Sequence, residues 1–483
     1  MGLYNLLQYF FCVSSLLLLS SFGQPLVESC FAPAGRLGTV SQDGKGALSM
    51  GLGQNWDKVM NGPMRKNKST KSNSGKRSIL FISALDFWSL GKGKGGPALY
   101  KALTGYAQRG WEVYFITGNR ANGDNEAHHL NIQVIRFDAP WLKRLMKIRK
   151  VGFFTRAVWW LYFQVVAFLK AIKLHRTVKF DVVYGYEIYG TPVAKVLSKL
   201  WSTPMVARFQ GSIVQLLWKG KPFWRIRAWE HVLAFKTSRF SDIVIMTNDG
   251  SQGDQLLSQM NVDARKIRFW MNGVDWSLFE EMLGYSDAKK KLNINAKNVL
   301  LVISRLVSIK RVDRSIQALP EVLKEFPDVL LLIVGDGNER ERLEKLAEEL
   351  GVSDNVRFEG AVPHKDVPLY LAAADVFLSF YDWSNVGNPL LEAMMAGKSI
   401  ITLNNGDTGQ FITNGVNGIL LEYEDIPNLP TIIKNLLSDR GLRERLGGNA
   451  RKFAEEHFWS WEERIEAEIR EVRMLVEKRR ERE

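Results

Sequence analysis

The chain has 483 residues, 46% hydrophobic and 24% charged, which is the composition of a globular protein with room for two or three cores. Its formal net charge of +14 is uneven: +6 over residues 1–77, +13 over 78–285 and −5 over 286–483. The only two cysteines, Cys12 and Cys30, lie near the N-terminus and the six histidines are scattered, which excludes a disulfide framework, a thiolate metal site or a cysteine nucleophile in the folded part.

Residues 6–23, LLQYFFCVSSLLLLSSFG, form an apolar run of borderline length for a membrane span. It lacks the positive n-region of a signal peptide, and a linker rich in Gly, Ser, Asn and Lys follows to about residue 77. Three readings stay open: a signal-anchor, a targeting segment, or sequence upstream of a true start at Met50 or Met64. If the run spans, the lysines at 66–77 favour a cytoplasmic body at the inner face of a membrane.

Order is expected from RSILFISALDFW (77–88), a strand entering the glycine loop LGKGKGG (90–96), then a helix and the strand WEVYFITG. The alternation continues through IQVIRFD, DVVYGYEIYG, PMVARFQGS and DIVIMTND, and restarts after RFWMNGVD with VLLVISRLVSIKR, VLLLIVGDG, NVRFEGA, VFLSFYD and SIITLNN. The fold expected is α/β, with two Rossmann-like domains facing each other across a cleft, at 78–285 and 286–457, and a C-terminal helix over 458–483 whose start braces the first domain. Ligands in open parallel sheets bind beyond the carboxyl ends of the strands, which directs attention to the loops there.

Gly91, Gly93 and Gly96 satisfy G-x-G-x-x-G, but no acidic residue ends the second strand to hold a dinucleotide ribose. A loop giving backbone approach to sugar or phosphate, with Gly95 and Gly96 closest, is the better reading. In ISRLVSIKRVD (303–313), Arg305 and Lys310 follow a strand at the start of a helical segment, where a fork and a point charge could neutralise a diphosphate; a pair of solvated helix-start cations is the alternative. Asp336, in VGDG, lies on a neighbouring loop of the same edge. In YDWSNVGNPLLEAMMAG (381–397), Asn388 and Pro389 suit a helix start, with Asn as the cap. Glu392 then lies one turn in, on an otherwise apolar face, where it can either accept hydroxyl hydrogen bonds or steady the helix's own first turn.

SRLVSIKRVDRSIQAL, LLIVGDGNERERLEKLAEELGVSDNVRFEGAV, NPLLEAMMAGKSIIT, NGVNGILLE and MNGVDWSLF together resemble the retaining glycosyltransferases of family 4, which have the GT-B architecture. The resemblance covers about residues 78 to 465 and is strongest in the second domain. It implies a nucleoside-diphosphate sugar held by the second domain, a glycan or lipid-linked acceptor held by the first, and no required metal or other cofactor; the chain has no Asp-x-Asp pair. It also implies retention through departure of the diphosphate, whose own oxygen deprotonates the incoming hydroxyl, with Arg305 and Lys310 stabilising the departing charge.

Glu392 matches the second acid of the family's Glu-x7-Glu motif, which holds the donor ribose. The first acid is replaced by Ser384, within SNVGN, where the backbone amides of Asn385, Val386, Gly387 and Asn388 would approach the donor sugar. Gln210 stands where the family has His before a Gly, which removes a titrating base at that point. Glu187 either touches the acceptor or caps the following helix. Residues 141–176 interleave Lys and Arg with aromatics before an apolar run, Ala157 to Leu169, too short to span a bilayer; they lie at an anionic membrane surface or form a buried helix with a basic approach. No nucleic-acid motif accompanies the charge.

Overall fold

The computed structural model describes residues 77–85, 98–118, 130–145, 152–214 and 229–482. The hydrophobic run, its linker and the glycine loop with Gly95 and Gly96 lie outside the described residues.

Two parallel sheets carry the fold. The first joins β1 (Ser78–Ser83), β2 (Glu112–Thr117), β3 (Ile132–Arg136), β4 (Val182–Tyr186), β5 (Met205–Phe209), β6 (Ile243–Thr247) and β7 (Ile267–Trp270) in the order β3-β2-β1-β4-β5-β6-β7. The second joins β8 (Asn298–Ile303), β9 (Val329–Val334), β10 (Val356–Gly360), β11 (Val376–Ser379), β12 (Ser399–Leu403) and β13 (Ile419–Leu421) in the order β10-β9-β8-β11-β12-β13. Strands β1 and β8 are buried along their whole length, as SILFIS and NVLLVI require of strands covered by helices on both faces. Each sheet reverses its order beside that central strand, between β1 and β4 and between β8 and β11. These switch points open crevices at the carboxyl ends of the strands.

The start of RFWMNGVD forms β7 and pairs with β6, Val244 opposite Ile267, inside the span expected for the first domain. The short β13 was not anticipated, since three residues carry no measurable period.

The last helix, Trp461–Arg480, returns to the first lobe. Trp461, Ile465, Ile469, Val472 and Val476 join the cluster of Phe81, Tyr106, Trp111 and Tyr184. Glu468 is fully buried there and accepts hydrogen bonds from Tyr184 Oη at 2.7 Å, Arg208 at 3.0 Å and Arg464 at 3.1 Å. Residues beyond about 472 stay docked: Val476 is buried, Glu477 pairs with Arg77 and Arg480 with Asp181.

Candidate functional site

Strand β8 ends at Ile303, and the chain turns through a short 3-10 segment, Ser308–Lys310, before the helix Asp313–Leu323. Arg305 and Lys310 therefore precede the helix. Its amides, expected beside the two cations, are engaged locally: Arg314 and Ser315 donate to the carbonyls of Arg311 and Val312. Lys310 Nζ lies 3.6 Å over the ring of Tyr381, whose hydroxyl donates to the Ile303 carbonyl. Burial, and then the charge of Arg305, push Lys310 down to about 8, against a pull from Asp249 of the first lobe. Among the described residues neither Arg305 nor Lys310 has a carboxylate within ion-pair distance. Arg311 and Arg314, by contrast, are engaged by Asp313 and Asp382 and fasten the turn to the loop that follows β11.

That loop carries Ser384 to Gly387 into the helix Asn388–Met395. Asn385 is buried and fully engaged. Its Oδ1 accepts from Ser379 Oγ and Tyr381 N, and its Nδ2 donates to the Leu403 carbonyl and Asn405 Oδ1. The amides of Asn385 and Val386, expected to face a donor, donate instead to Thr408 Oγ1 and Ser384 Oγ, and the Val386 side chain lies in the core. Gly387 is the residue preceding the helix, and Asn388 is not its cap: Asn388 Oδ1 accepts from Asn272 Nδ2 of the junction at 3.1 Å. The Gly387 and Asn388 amides have no bonded partner among the described residues. Ser384 Oγ donates to the carbonyl of Asp249, across the lobes, at 2.6 Å. Gly250 makes that approach feasible, because at its φ of +74° a Cβ would sit 2.1 Å from Ser384 Oγ. Trp383 Nε1 adds a second crossing bond, to the Ser212 carbonyl.

Glu392 is 6% exposed, and its Oε1 lies 2.8 Å from His364 Nε2. His364 Nδ1 faces Asp275 Oδ2 at 3.7 Å, and Asp275 Oδ1 pairs with Lys101 of the first-lobe helix Ala98–Gln108. Four groups of alternating charge thus run from one lobe to the other. His364 escaped the sequence reading because one histidine in VPHKD, distant in sequence from its partners, shows no spacing; its position just after β10 was the available signal.

On the first lobe, Gln210 N–H donates to Glu187 Oε1 at 2.7 Å, so the Glu187 carboxylate ties the end of β4 to that of β5 and does not cap its own helix. Burial raises Glu187 to about 7, despite that bond and the nearby Arg208. Gln210 Nε2 is buried and has no hydrogen-bond partner among the described residues. Asp249 is raised to about 6 by burial, against hydrogen bonds from Ser251. It lies against Gly211, where a Cβ would meet Asp249 Oδ2 at 1.9 Å. Asp336 is exposed beyond β9, with Oδ1 accepting from Gly337 N. The structure therefore brings Lys310, Ser384 and Asp249 together at the facing strand ends.

The family model "Glycosyl transferases group 1" matches residues 285–453, and "Glycosyl transferase 4-like domain" matches residues 95–273. The chain belongs to the GT4-type glycosyltransferases. It is 30% identical to spore coat protein SA of Bacillus subtilis over 228 residues, 44% of this chain and 60% of that protein. It is also 30% identical to the GDP-mannose-dependent alpha-(1-6)-phosphatidylinositol monomannoside mannosyltransferase of Mycolicibacterium smegmatis over 183 residues, 36% of this chain and 48% of that one. The chain spans about half to three fifths of the length of these curated relatives. The crystal structure of Anabaena HepE with UDP and glucose superimposes with a TM-score of 0.61 and 20% identity, covering 82% of this chain and 98% of that one, which shows the shared two-lobed GT-B fold.

Two other surfaces of this glycosyltransferase lie apart from the facing strand ends. The helix Gly152–His175 has 24 residues and extends beyond the apolar run Ala157 to Leu169, so that by length and composition it could cross a bilayer. One side of it is nevertheless core, with Phe163, Gln164, Ala167 and Ala171 fully buried, while Phe154 and Leu169 are exposed. A hollow of about 500 Å³ lined by Lys195, Lys199, Phe240 and Lys478 sits beside the start of β5, at the end of the strands opposite the Lys310–Asp249 approach.

Proposed function

We propose that this glycosyltransferase moves a sugar from a nucleoside-diphosphate donor to a hydroxyl of a glycan or lipid-linked acceptor, with retention and without a metal. The observation that carries the reading is the Arg305–Lys310 pair. Among the described residues neither cation has an ion-pair partner, and Lys310 is pressed toward neutrality by burial and by the charge of the neighbouring, exposed Arg305, which an anion beside the two would relieve. A diphosphate supplies that anion, and it needs most stabilisation as it departs. Glu392 then takes the ribose, the Gly387 and Asn388 amides reach the donor, and Gln210 with its unpartnered Nε2 meets the sugar or the acceptor. Ser384 lends no charge to the sugar. Its hydroxyl instead joins the lobes, and donor preference falls to neutral contacts.

The names of relatives support this reading: one is GDP-mannose-dependent and acts on a phosphatidylinositol mannoside, and one neighbour binds UDP and glucose. We place the acceptor side near an anionic membrane surface, because Trp141, Phe154 and Leu169 are 61%, 72% and 49% exposed beside a basic stretch. Flotation with phosphatidylglycerol but not phosphatidylcholine vesicles, with residues 1–77 deleted, is the expected outcome; equal flotation removes the membrane part.

Binding without turnover is the second reading, favoured by Ser384 and Gln210 in place of the acid and the histidine. Donor hydrolysis measured with UDP- and GDP-sugars, with and without EDTA, in the native chain and Arg305→Ala, separates the two. Turnover that survives EDTA and collapses in Arg305→Ala supports transfer; no turnover with any donor supports binding alone.

A further inference from the structure

Glu392 is nearly buried, and among the described residues its carboxylate receives one side-chain bond, from His364 to Oε1. Oε2 has no donor. A buried carboxylate with an open oxygen is poised to accept a hydroxyl, and its aim is set by whatever grips the other oxygen. His364 is itself gripped from the far side. Asp275 Oδ2, buried and without a hydrogen bond among the described residues, faces its Nδ1 at 3.7 Å, and Lys101 holds the opposite oxygen of Asp275.

Resting on the donor reading above, we infer that His364 is a positioning residue: it fixes Glu392 Oε1 and thereby presents Oε2 to the ribose hydroxyls of the donor nucleotide. The groups facing it are Glu392 from the helix Asn388–Met395, Asp275 from the junction after β7 and Lys101 from the first lobe, with Lys365 and Asp366 on its own turn. Burial opposes a charge on His364, but the Glu392 hydrogen bond and the charges of Glu392 and Asp275 outweigh it, so the imidazolium persists to higher pH than a free imidazole. While protonated, the ring donates to Glu392 and holds its other N–H against Asp275 as an ion pair. Once neutral, it keeps one proton for Glu392 and turns a lone pair toward Asp275, which loosens its grip. Hold on the ribose is therefore firm at low pH and weakens as pH rises through the His364 titration.

The test compares UDP and GDP with their 2′,3′-dideoxy forms by calorimetric titration of the full chain between pH 6 and 9. The ribo-to-dideoxy affinity ratio is the readout, because the diphosphate contacts and the Lys310 titration are common to both ligands and cancel. In the native chain the ratio falls as pH rises. In His364→Ala it drops by about tenfold at pH 6, the loss of one charge-assisted hydrogen bond's worth of alignment. In His364→Gln, whose amide can still donate to Glu392, it is partly kept and flat with pH. A ratio unchanged in both variants overturns the role of His364 while leaving the donor site standing. Failure of the native chain to bind any of the four nucleotides overturns the donor reading and the inference together. If His364→Ala does not fold, the native pH profile and His364→Gln decide: a flat native profile overturns the inference.

Discussion

The two lobes invert their bulk charge where they face each other. Residues 78–285 carry a surplus of +13, yet the ends of β4 and β6 bring half-buried acids, Glu187 and Asp249, raised to about 7 and 6. Residues 286–483 sum to −5, yet the end of β8 brings Arg305 and Lys310, which have no carboxylate within ion-pair distance among the described residues. Regional net charge speaks to solubility and long-range attraction, while a site is made by the few side chains that strand ends and loops deliver. Around Asn385 the second lobe is knitted by side-chain bonds, whereas among the described residues Gln210 Nε2 of the first lobe has no partner.

The sharpest way to break this contrast is to strip the first lobe of its brace. Glu468→Gln leaves Arg208 and Arg464 buried without a carboxylate and should cost about 3–5 kcal/mol in urea unfolding. A loss near zero would mean that the two guanidiniums reach water. Next in size, Arg305→Ala should lower kcat/KM for donor turnover by about a hundredfold or more, with unfolding unchanged. A similar loss on changing a first-lobe acid, and none at Arg305, would reverse the assignment of the lobes.

The half-buried Glu187 of the first lobe gives a third test. Between the ordinary carboxylate range and about 7, folded Glu187 keeps a proton that the unfolded chain has released, so stability falls as pH rises through that window and levels above it. Glu187→Gln should therefore match the native chain at pH 5 and exceed it by about 1–3 kcal/mol at pH 8. Equal stability at both values would show the carboxylate to be well solvated. The smallest effect belongs to the crossing bond. Ser384→Ala should cost about 1 kcal/mol or less, read as a modest drop in melting temperature that nucleotide binding does not erase.

The α/β alternation was plain in the sequence because short runs rich in Val, Ile, Leu and Phe, such as SILFIS and NVLLVI, alternate with helical patterns. Arg305 and Lys310 were legible for the same reason, as charges placed directly after such a run. What stayed hidden depends on contacts between distant segments. Whether Asn385 offers its amide to a ligand or its side chain to Ser379 and Asn405 is decided by loops twenty residues away. His364 acquires meaning only when Glu392 and Asp275 converge on it. Glu187 reads as a helix cap until the end of β5 supplies the Gln210 amide.

The return of Trp461–Arg480 to the first sheet also sets the order in which the protein can be finished. Domains emerging from a ribosome ordinarily fold in turn, N-terminal first. Here β1 to β7 are synthesised early, but the apolar floor that covers Tyr106 and Tyr184, and the carboxylate that neutralises Arg208, arrive last. The nascent first half must wait, incomplete, until the entire second half has been made, and any premature stop before residue 461 would strand a guanidinium in an unfinished interior.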